Sequence, residues 1–391
     1  MQYSDRARAI TPFYAMAFGE KATALEHAGH KVVRLNIGEP DFGAPPAVQQ
    51  AMQQAVAENQ LPYTGALGDY RLREAIAGFY QTMHGLEIEP QRVVVTAGAS
   101  AALLLVCAAL VNPDDEVMVG DPSYPCNRQF VTTFGGKVNL VPTTAADRFQ
   151  LTPALVKQHW HETTRALMVA TPSNPTGTAV SAGDLAKMCE FAKARGAWRI
   201  IDEIYLNLSD ASNGPPQSAL SFDNDAIIIN SFSKYFGMTG WRLGWMIVPD
   251  DMVAVIEKLA QNLYICPSTP AQLAALACFT PPTLALCEQR RESLLSRRKI
   301  VLQGLADAGL NVPVEPDGAF YVYIDVSQTG MSAMTFCDRL LSEAHVAMTP
   351  GNDFGVIGGH QFVRLSYATS EALLHEGLAR IKAFTHKLKQ L

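Results

Sequence analysis

Short runs rich in valine and isoleucine alternate with longer stretches of helical periodicity along most of this 391-residue chain. Such alternation is typical of a mostly parallel sheet lying between helices. Two of the predicted helices are Ala99–Val111 and Ala182–Ala194. The predicted strands are Val93–Thr96, Glu116–Gly120, Val138–Val141, Ala166–Ala170, Arg199–Ile201, Ala226–Asn230 and Gly244–Val248. The sequence therefore predicts the α/β class, and its length suffices for one large domain and a smaller one.

Polar, turn-forming clusters follow five of these strands. In chain order they are Gly98-Ala99-Ser100, Asp121-Pro122-Ser123-Tyr124, Ser173-Asn174-Pro175-Thr176-Gly177, Asp202-Glu203-Ile204-Tyr205 and Ser231-Phe232-Ser233-Lys234. One such cluster would be an ordinary turn. In open sheets of this class, however, ligands bind outside the carboxyl ends of the strands. Five clusters at strand ends therefore indicate a ligand site along that edge.

Lys234 has an unusual setting for a lysine. It follows the apolar run 226–229, with Ser231 and Ser233 before it and Arg242 eight residues after it. A lysine that forms an imine with an aldehyde needs a partly desolvated position, so that its amine can be neutral. The hydroxyls and the arginine suit a phosphate on the same molecule. Alone, Lys234 would be a solvated lysine after a strand; beside the other clusters, it indicates pyridoxal phosphate.

The other clusters can be assigned to parts of the same cofactor. The segment 98–100 opens an apolar helix, whose backbone N–H groups and dipole can hold a phosphate, although alone it would be a plain helix cap. Asp202 ends a buried strand and could pair with a protonated ring nitrogen. Tyr205 and Asn174 could bind the ring oxygen, and Tyr124 could stack on the ring. Read singly, Asp202 is also a helix cap, Asn174 a turn residue and Tyr124 a loop anchor.

These residues match a family. The chain resembles the fold type I pyridoxal-phosphate enzymes, and within them the class I and II aminotransferases of the aspartate aminotransferase superfamily. The resemblance runs from the segment 35–42, Leu-Asn-Ile-Gly-Glu-Pro-Asp-Phe, to the segment 362–366, Phe-Val-Arg-Leu-Ser. Its most specific parts are 173–177, 202–205 and the lysine segment. It implies a large domain with a mostly parallel sheet and a smaller α+β domain.

The resemblance also implies a role for each matched residue. Lys234 would form the Schiff base and shuttle a proton, Asp202 would pair with the pyridinium nitrogen, and Tyr205 would contact the ring oxygen. The remaining cofactor contacts would be Gly98, Ala99, Ser100, Tyr124, Asn174, Ser231, Ser233 and Arg242. Arg364, with Gly38 and Asn174, would hold the substrate α-carboxylate.

Two features of the assembly and the domains follow from the same resemblance. Tyr63 would reach the phosphate of a neighbouring subunit, which implies a homodimer with shared active sites. The chain would divide into an N-terminal arm with part of the small domain at 1–46, a large cofactor domain at 47–280 and a C-terminal small domain at 281–391. Pro281-Pro282 and the charged stretch after it favour the second boundary.

The implied reaction is ping-pong transfer of an amino group from an L-amino acid to a 2-oxo acid. The substrate side chain is left open, because no motif supplies a second cation for a distal carboxylate. Arg128 reads as a surface residue, and Asn127 stands where many relatives carry an aromatic residue. Asn262, Tyr264 and Tyr14 are further candidates for the pocket. A neutral or broad range of amino acids is expected, with 2-oxoglutarate or pyruvate as acceptor.

Two other functions remain open. A carbon–sulfur β-lyase would keep Lys234, Asp202, Tyr205 and Arg364 but release ammonia and pyruvate. A regulator that senses the cofactor would need a DNA-binding module besides the catalytic domains. The formal charge of −6 gives no basic surface for nucleic acid or an acidic membrane.

The cellular setting is predicted from residue usage. Seven cysteines without paired spacing fit a reduced compartment. The N-terminus shows no signal-peptide pattern, and no apolar stretch is long enough to span a bilayer. We therefore expect a cytoplasmic protein. The histidines show no ligand spacing, and no metal is expected.

Overall fold

The computed structural model describes residues 2–59, 61–211 and 216–388. Its strands are β1 Val33–Arg34, β2 Val93–Thr96, β3 Glu116–Asp121, β4 Lys137–Pro142, β5 Thr164–Ala170, β6 Trp198–Asp202, β7 Ile227–Ser231, β8 Gly244–Ile247, β9 Tyr321–Asp325, β10 Val346–Ala347, β11 Thr349–Pro350 and β12 Phe362–Ser366. Its helices are α1 Asp5–Ala9, α2 Tyr14–His27, α3 Pro46–Ala57, α4 Tyr70–His84, α5 Ala99–Leu110, α6 Pro125–Thr133, α7 Pro153–Gln158, α8 Ala182–Lys193, α9 Asp250–Leu263, α10 Thr269–Ala275, α11 Pro281–Asp307, α12 Ala333–Ala344 and α13 Glu371–Leu388.

The central sheet has seven strands in the order β2-β8-β7-β6-β5-β3-β4. Strand β8 is antiparallel to both of its neighbours, and the other pairs are parallel. The predicted α/β class and seven-stranded, mostly parallel sheet are confirmed. Every predicted strand forms within two residues of its predicted bounds, and so do the helices predicted at 99–111 and 182–194.

The sheet is buried on both faces, as its apolar strands require. In β2, Val93 and Val95 belong to one core, and Val94 belongs to the core on the opposite face. This period of two is the strand geometry itself, because successive side chains point to opposite faces. Helix α5 packs over the Val94 face, which explains why the helix is apolar around most of its circumference.

The remaining strands link the N-terminal segment to the C-terminal part of the chain. Strands β11, β12 and β9 form a three-stranded antiparallel sheet. Strand β1 pairs in parallel with β10, so the segment after α2 is anchored some 310 residues further along the sequence, at Val33↔Val346. Helix α11 begins at Pro281, with proline in its first turn. The domain boundaries at 46/47 and 280/281 stay predictions.

A helix that crosses a bilayer must be both long and apolar. None of the single helices in the described parts of the chain is both long and apolar enough to cross a bilayer. Thr269–Phe279 and Pro281–Asp307 meet these criteria only as a pair, with a bend of 83° between them.

Candidate active site

A cavity of about 610 Å³ lies where the carboxyl ends of the central strands meet the N-terminal segment and the C-terminal sheet. The sheet forms its floor because parallel strands present their carboxyl ends at one edge. All of the predicted site residues except Gly98 and Tyr63 line it. These lining residues are Gly38, Ala99, Ser100, Tyr124, Asn174, Asp202, Tyr205, Ser231, Ser233, Lys234, Arg242 and Arg364.

Lys234 lies just beyond the end of β7, with its amine directed into the cavity. Its Nζ donates a hydrogen bond of 2.6 Å to the carbonyl oxygen of Gly38. Burial lowers the pKa of Lys234 to about 8; Arg364 and Arg242 act in the same direction, and Glu39 opposes them. A substantial fraction of the amine is therefore neutral near pH 8, as a nucleophilic lysine requires.

Asp202 is the last residue of β6 and is only 7% exposed. Its Oδ1 accepts a hydrogen bond of 3.1 Å from the backbone N–H of Ile204. Burial raises the pKa of Asp202 to about 6, against the lowering effects of this hydrogen bond and of Lys234. A buried carboxylate of this kind is stabilised by a cationic or proton-bearing partner, and the nitrogen of a protonated pyridine would be such a partner.

Tyr205 and Tyr321 form a buried pair on the side of the cavity nearest the C-terminal sheet. Their hydroxyl oxygens are 2.8 Å apart, and their rings meet edge to face at 82°. Burial raises the pKa of Tyr205 well above its usual value, so that its hydroxyl keeps its proton. The sequence analysis did not identify Tyr321, because it opens β9, a strand outside the central sheet, and only the tertiary structure places its hydroxyl beside Tyr205.

Arg364 lies on β12 and is 4% exposed. Its Nη1 donates to Asn174 Oδ1 at 2.9 Å, and its Nη2 donates to the carbonyl oxygen of Asn36 at 2.8 Å. The guanidinium lies 4.6 Å from the centre of the Tyr321 ring. Its Nε is buried without a hydrogen-bond partner. A buried guanidinium with an unpartnered N–H is suited to an incoming carboxylate.

The opposite end of the cavity is suited to a phosphate. Helix α5 begins at Ala99, so its free backbone N–H groups face the cavity. Gly98 precedes it at φ 86°, and a Cβ there would lie 2.6 Å from Arg242 Nη2. The absence of a side chain at Gly98 therefore lets the guanidinium approach the helix end. Ser231 Oγ lies 2.9 Å from Ser233 Oγ, which places two hydroxyls at the same end.

Several residues that were considered from the sequence lie elsewhere. Tyr63 is 78% exposed and does not line this cavity. Asn262 bonds its own helix through Lys258, and Tyr264 places its hydroxyl in a buried position without a partner; neither lines the cavity. Tyr14 donates its backbone N–H to Asp353 Oδ1, while the two residues after it line the cavity.

The surface placement of Arg128 is wrong. Its side chain is only 16% exposed, and its guanidinium donates to the carbonyl oxygens of Asp353 and Phe354 at 3.0 and 3.4 Å. The side chain thus joins α6 to the loop before β12, which the local sequence around Arg128 could not reveal. Asn127 is 2% exposed and does not line the cavity.

The N-terminal segment forms the remaining wall, which the sequence analysis left unassigned apart from Gly38. Helix α2 and the segment from β1 onward contribute apolar, acidic and basic side chains. The side chains that the analysis missed there are Met16, Glu20, Arg34, Asn36, Ile37 and Glu39. They follow no strand of the central sheet. The pairing of β1 with β10, together with the hydrogen bonds from the backbone of Tyr14 and Ala15 to Asp353, brings them to the cavity.

The donor set fits pyridoxal phosphate from end to end. One end offers a helix terminus, hydroxyls and a guanidinium, the middle offers a lysine amine opposite a buried carboxylate, and the far end offers a second guanidinium. Within the described ranges, no three histidine, cysteine or acidic side chains lie together as a metal ion would require. Fold and site together define a pyridoxal-phosphate enzyme of the fold type I architecture.

Comparison with known proteins agrees with this class. Residues 30–381 match the family model described as aminotransferase class I and II. The chain is 37% identical to a valine–pyruvate aminotransferase of Mycobacterium tuberculosis, over 95% of this chain and 96% of that one. It is 34% identical to an aspartate/prephenate aminotransferase of Thermus thermophilus, over 96% and 97% of the two chains.

Solved structures give the same result. A crystal structure of an aminotransferase from Mycobacterium tuberculosis superposes with a TM-score of 0.95 at 37% identity, over 99% of this chain and all of that one. The aspartate aminotransferase from Thermus thermophilus with maleate superposes with a TM-score of 0.92 at 34% identity, over 98% and 99%. This chain belongs to the class I and II aminotransferases, and it is a pyridoxal-phosphate-dependent transaminase.

Proposed function

We propose that this transaminase moves an amino group between L-amino acids with neutral side chains and pyruvate. The observation that carries the proposal is one cavity in which Lys234 and the buried Asp202 and Arg364 lie together. The similarity to a protein named as a valine–pyruvate aminotransferase supports the neutral side chain and the pyruvate. The wall formed by Met16 and Ile37 supports the same preference, since these side chains are apolar.

Each residue then has a defined task. Arg364 binds the α-carboxylate and so orients the α-carbon toward Lys234, with Gly38 and Asn174 beside it. Lys234 takes the α-proton on its neutral amine and would return it to the aldehyde carbon of the cofactor. Asp202 keeps a proton on the ring nitrogen of the cofactor. The cofactor, when bound, supplies the electron sink for the carbanion.

Two further sets of residues hold the cofactor in position, one at its ring and one at its phosphate. Tyr205 and Asn174 would contact the ring oxygen, and Tyr124 would stack on the ring. The phosphate is held by the N-terminus of α5 from Gly98 onward, by the hydroxyls and by Arg242. These contacts exclude water from the reacting atoms and fix the ring while Lys234 moves the proton.

We propose a homodimer, in which Tyr63 of one subunit completes the phosphate site of the other. Tyr63, Leu61, Leu263 and Ile265 are 78%, 37%, 61% and 50% exposed. Hydrogen bonds from Thr269 to Pro62 and from Gln272 to Thr64 hold the segment 61–64 against the segment 263–272. Exposed apolar side chains on such a surface favour a protein contact. Sedimentation should show a dimer. Tyr63→Phe should weaken cofactor binding but leave the dimer intact.

A cytoplasmic location is proposed as well. The seven cysteines form no disulfide, and most of them are buried. Free thiols of this kind are typical of a reducing compartment. Fractionation of the producing cells would test the location directly, and recovery of the protein outside the cytoplasm would refute it.

The visible absorption spectrum tests the reaction and the substrate together. The holoenzyme should change its cofactor band on addition of a neutral amino acid without any acceptor, with release of one equivalent of the matching 2-oxo acid. Pyruvate then restores the original band. Continuous formation of pyruvate and ammonia without an acceptor would instead identify a β-lyase.

A further inference from the structure

Arg34 is the one cationic side chain at the cavity to which no task has been assigned. Among the described residues that line the cavity, the cations are Arg34, Lys234, Arg242 and Arg364. In the proposed function, the last three serve the cofactor and the substrate α-carboxylate. Among these four cations, Arg34 is the one left for a second carboxylate, on the side chain of an acidic amino acid.

The guanidinium of Arg34 is already occupied on its bidentate edge. Its Nε donates to Glu26 Oε1 at 3.0 Å, and its Nη2 donates to Glu26 Oε2 at 2.7 Å. The other N–H of Nη2 is directed to Thr23 Oγ1 at 2.7 Å, and Nη1 donates to the carbonyl oxygen of Gly19 at 3.3 Å. Five N–H groups are available on a guanidinium. One N–H of Nη1 is left, which cannot grip a carboxylate with two parallel bonds.

The local sequence explains this arrangement. Gly19, Thr23 and Glu26 recur at intervals of four and three, so they lie on one face of α2. That face is turned toward Arg34 on β1. Arg34 lowers the pKa of Glu26 through their hydrogen bond, and Glu26 raises the pKa of Arg34, so both stay charged at neutral pH.

The pair is partly shielded from solvent. The side chains of Arg34 and Glu26 are 25% and 37% exposed. Glu20 and Glu39 add two more carboxylates to the cavity wall. With Arg34 neutralised by Glu26, these carboxylates leave this wall negative, which disfavours an anionic side chain.

We propose that Glu26 determines substrate charge: by holding the bidentate edge of Arg34, it withholds that cation from side-chain carboxylates and restricts the enzyme to monocarboxylic amino acids. This inference rests on the proposed function and names the residue that enforces it. Glu26 touches no substrate and acts only through Arg34, so it is a positioning residue.

The test compares kcat/KM for L-valine and L-glutamate in the wild type and in Glu26→Ala. Removal of Glu26 frees the Nε and Nη2 N–H groups of Arg34. We expect the glutamate-to-valine ratio of kcat/KM to rise at least about tenfold, as a new carboxylate–guanidinium pair allows. Glu26→Gln, which keeps one acceptor oxygen, should give a smaller rise. The ratio in Glu343→Ala should equal that of the wild type, because this control breaks an ion pair with Arg339 that does not line the cavity.

Arg34→Ala shows whether the effect of Glu26 passes through Arg34. In the Glu26→Ala background it should abolish the rise, so that the double variant returns to the wild-type ratio. Calorimetry gives a readout independent of turnover: the affinity for glutarate, but not for butyrate, should increase in Glu26→Ala holoenzyme.

The outcomes separate the two proposals. Wild-type protein that transaminates no neutral amino acid refutes the proposed function. Wild-type protein that uses valine, while Glu26→Ala shows an unchanged ratio and unchanged glutarate affinity, refutes the role of Glu26 alone. A rise that persists in the double variant Glu26→Ala/Arg34→Ala would also refute it, since the effect of Glu26 would then not pass through Arg34.

Discussion

The two ends of the cavity are built differently. At the cofactor end, the side chains follow strands of the central sheet and are buried: Asp202 is 7%, Ser231 2% and Asn174 8% exposed. At the arm end, the side chains come from α2 and the segment after β1, where Met16 is 66% and Ile37 41% exposed. The reaction is thus carried by parts that the sheet holds fixed, and side-chain recognition by a surface segment. Substrate preference can therefore change without loss of the chemistry.

The largest effect should come from Lys234→Ala at the cofactor end of the cavity. No other amine lies where the proton must be moved, so we expect kcat to fall at least about 10⁴-fold for every amino acid alike. Single-turnover absorbance measurements with several substrates check this. Lys187→Ala, which removes an exposed lysine on α8, should retain full activity. Appreciable turnover by Lys234→Ala would show that the residues held by the central sheet do not carry the reaction.

Asp202→Asn should have the next largest effect. Asparagine keeps the size of the side chain and its hydrogen bond from Ile204 but carries no charge, so the ring nitrogen loses its ionic partner. We expect kcat to fall on the order of 10²-fold or more for all substrates, with weaker cofactor binding. Steady-state kinetics and cofactor titration measure both. An unchanged kcat would show that the carboxylate does not act on the cofactor; Asp114→Asn is an exposed control.

The reaction of the apoprotein with pyridoxal phosphate should depend on pH through Lys234. Burial lowers the pKa of this amine to about 8, and only the neutral amine attacks the aldehyde. The rate should therefore rise about tenfold per pH unit below 8 and level off above it. Stopped-flow absorbance at several pH values measures this dependence. A rate that still rises at pH 9.5 would mean that Lys234 keeps the ordinary pKa of an exposed lysine.

Met16→Ala should have the smallest effect, and a different kind of effect. The loss of an apolar side chain from the arm wall should lower kcat/KM for large neutral amino acids about 3- to 10-fold relative to alanine. The absorption spectrum of the holoenzyme should not change. A changed spectrum, or an equal loss with every substrate, would show that the two ends of the cavity are not independent. Met331→Ala, on a residue that does not line the cavity, serves as the control.

Much of the cofactor end of the cavity could be predicted from the sequence. Strands of the central sheet carry continuous apolar runs, so their ends can be located to within two residues. The polar clusters that follow them, such as 173–177 and 202–205, then converge by topology alone. Lys234 and Asp202 were identified in this way, and the structure brings both to the cavity.

The arm end could not be predicted in this way. Arg34 lies in a two-residue strand, whose partner β10 is far away in the sequence, so no local periodicity indicates the contact. Tyr321 is an aromatic residue among others, and only the tertiary structure places its hydroxyl beside Tyr205. Arg128 was misplaced because a charged side chain on a short helix usually faces solvent. In each case the deciding partner lies more than 100 residues away.

Arg364 has a consequence for how tightly any substrate can be held. Its guanidinium already donates to Asn174 and to the backbone of Asn36, from a loop of the large sheet and from the arm. An incoming carboxylate gains the unpartnered Nε N–H without loss, whereas an Nη N–H that is bonded to Asn174 or Asn36 has to be exchanged. Substrate affinity is then the difference between two sets of hydrogen bonds rather than the strength of one set. Such an exchange keeps recognition selective while leaving the product free to depart, as an enzyme that releases one product before it accepts the next substrate requires.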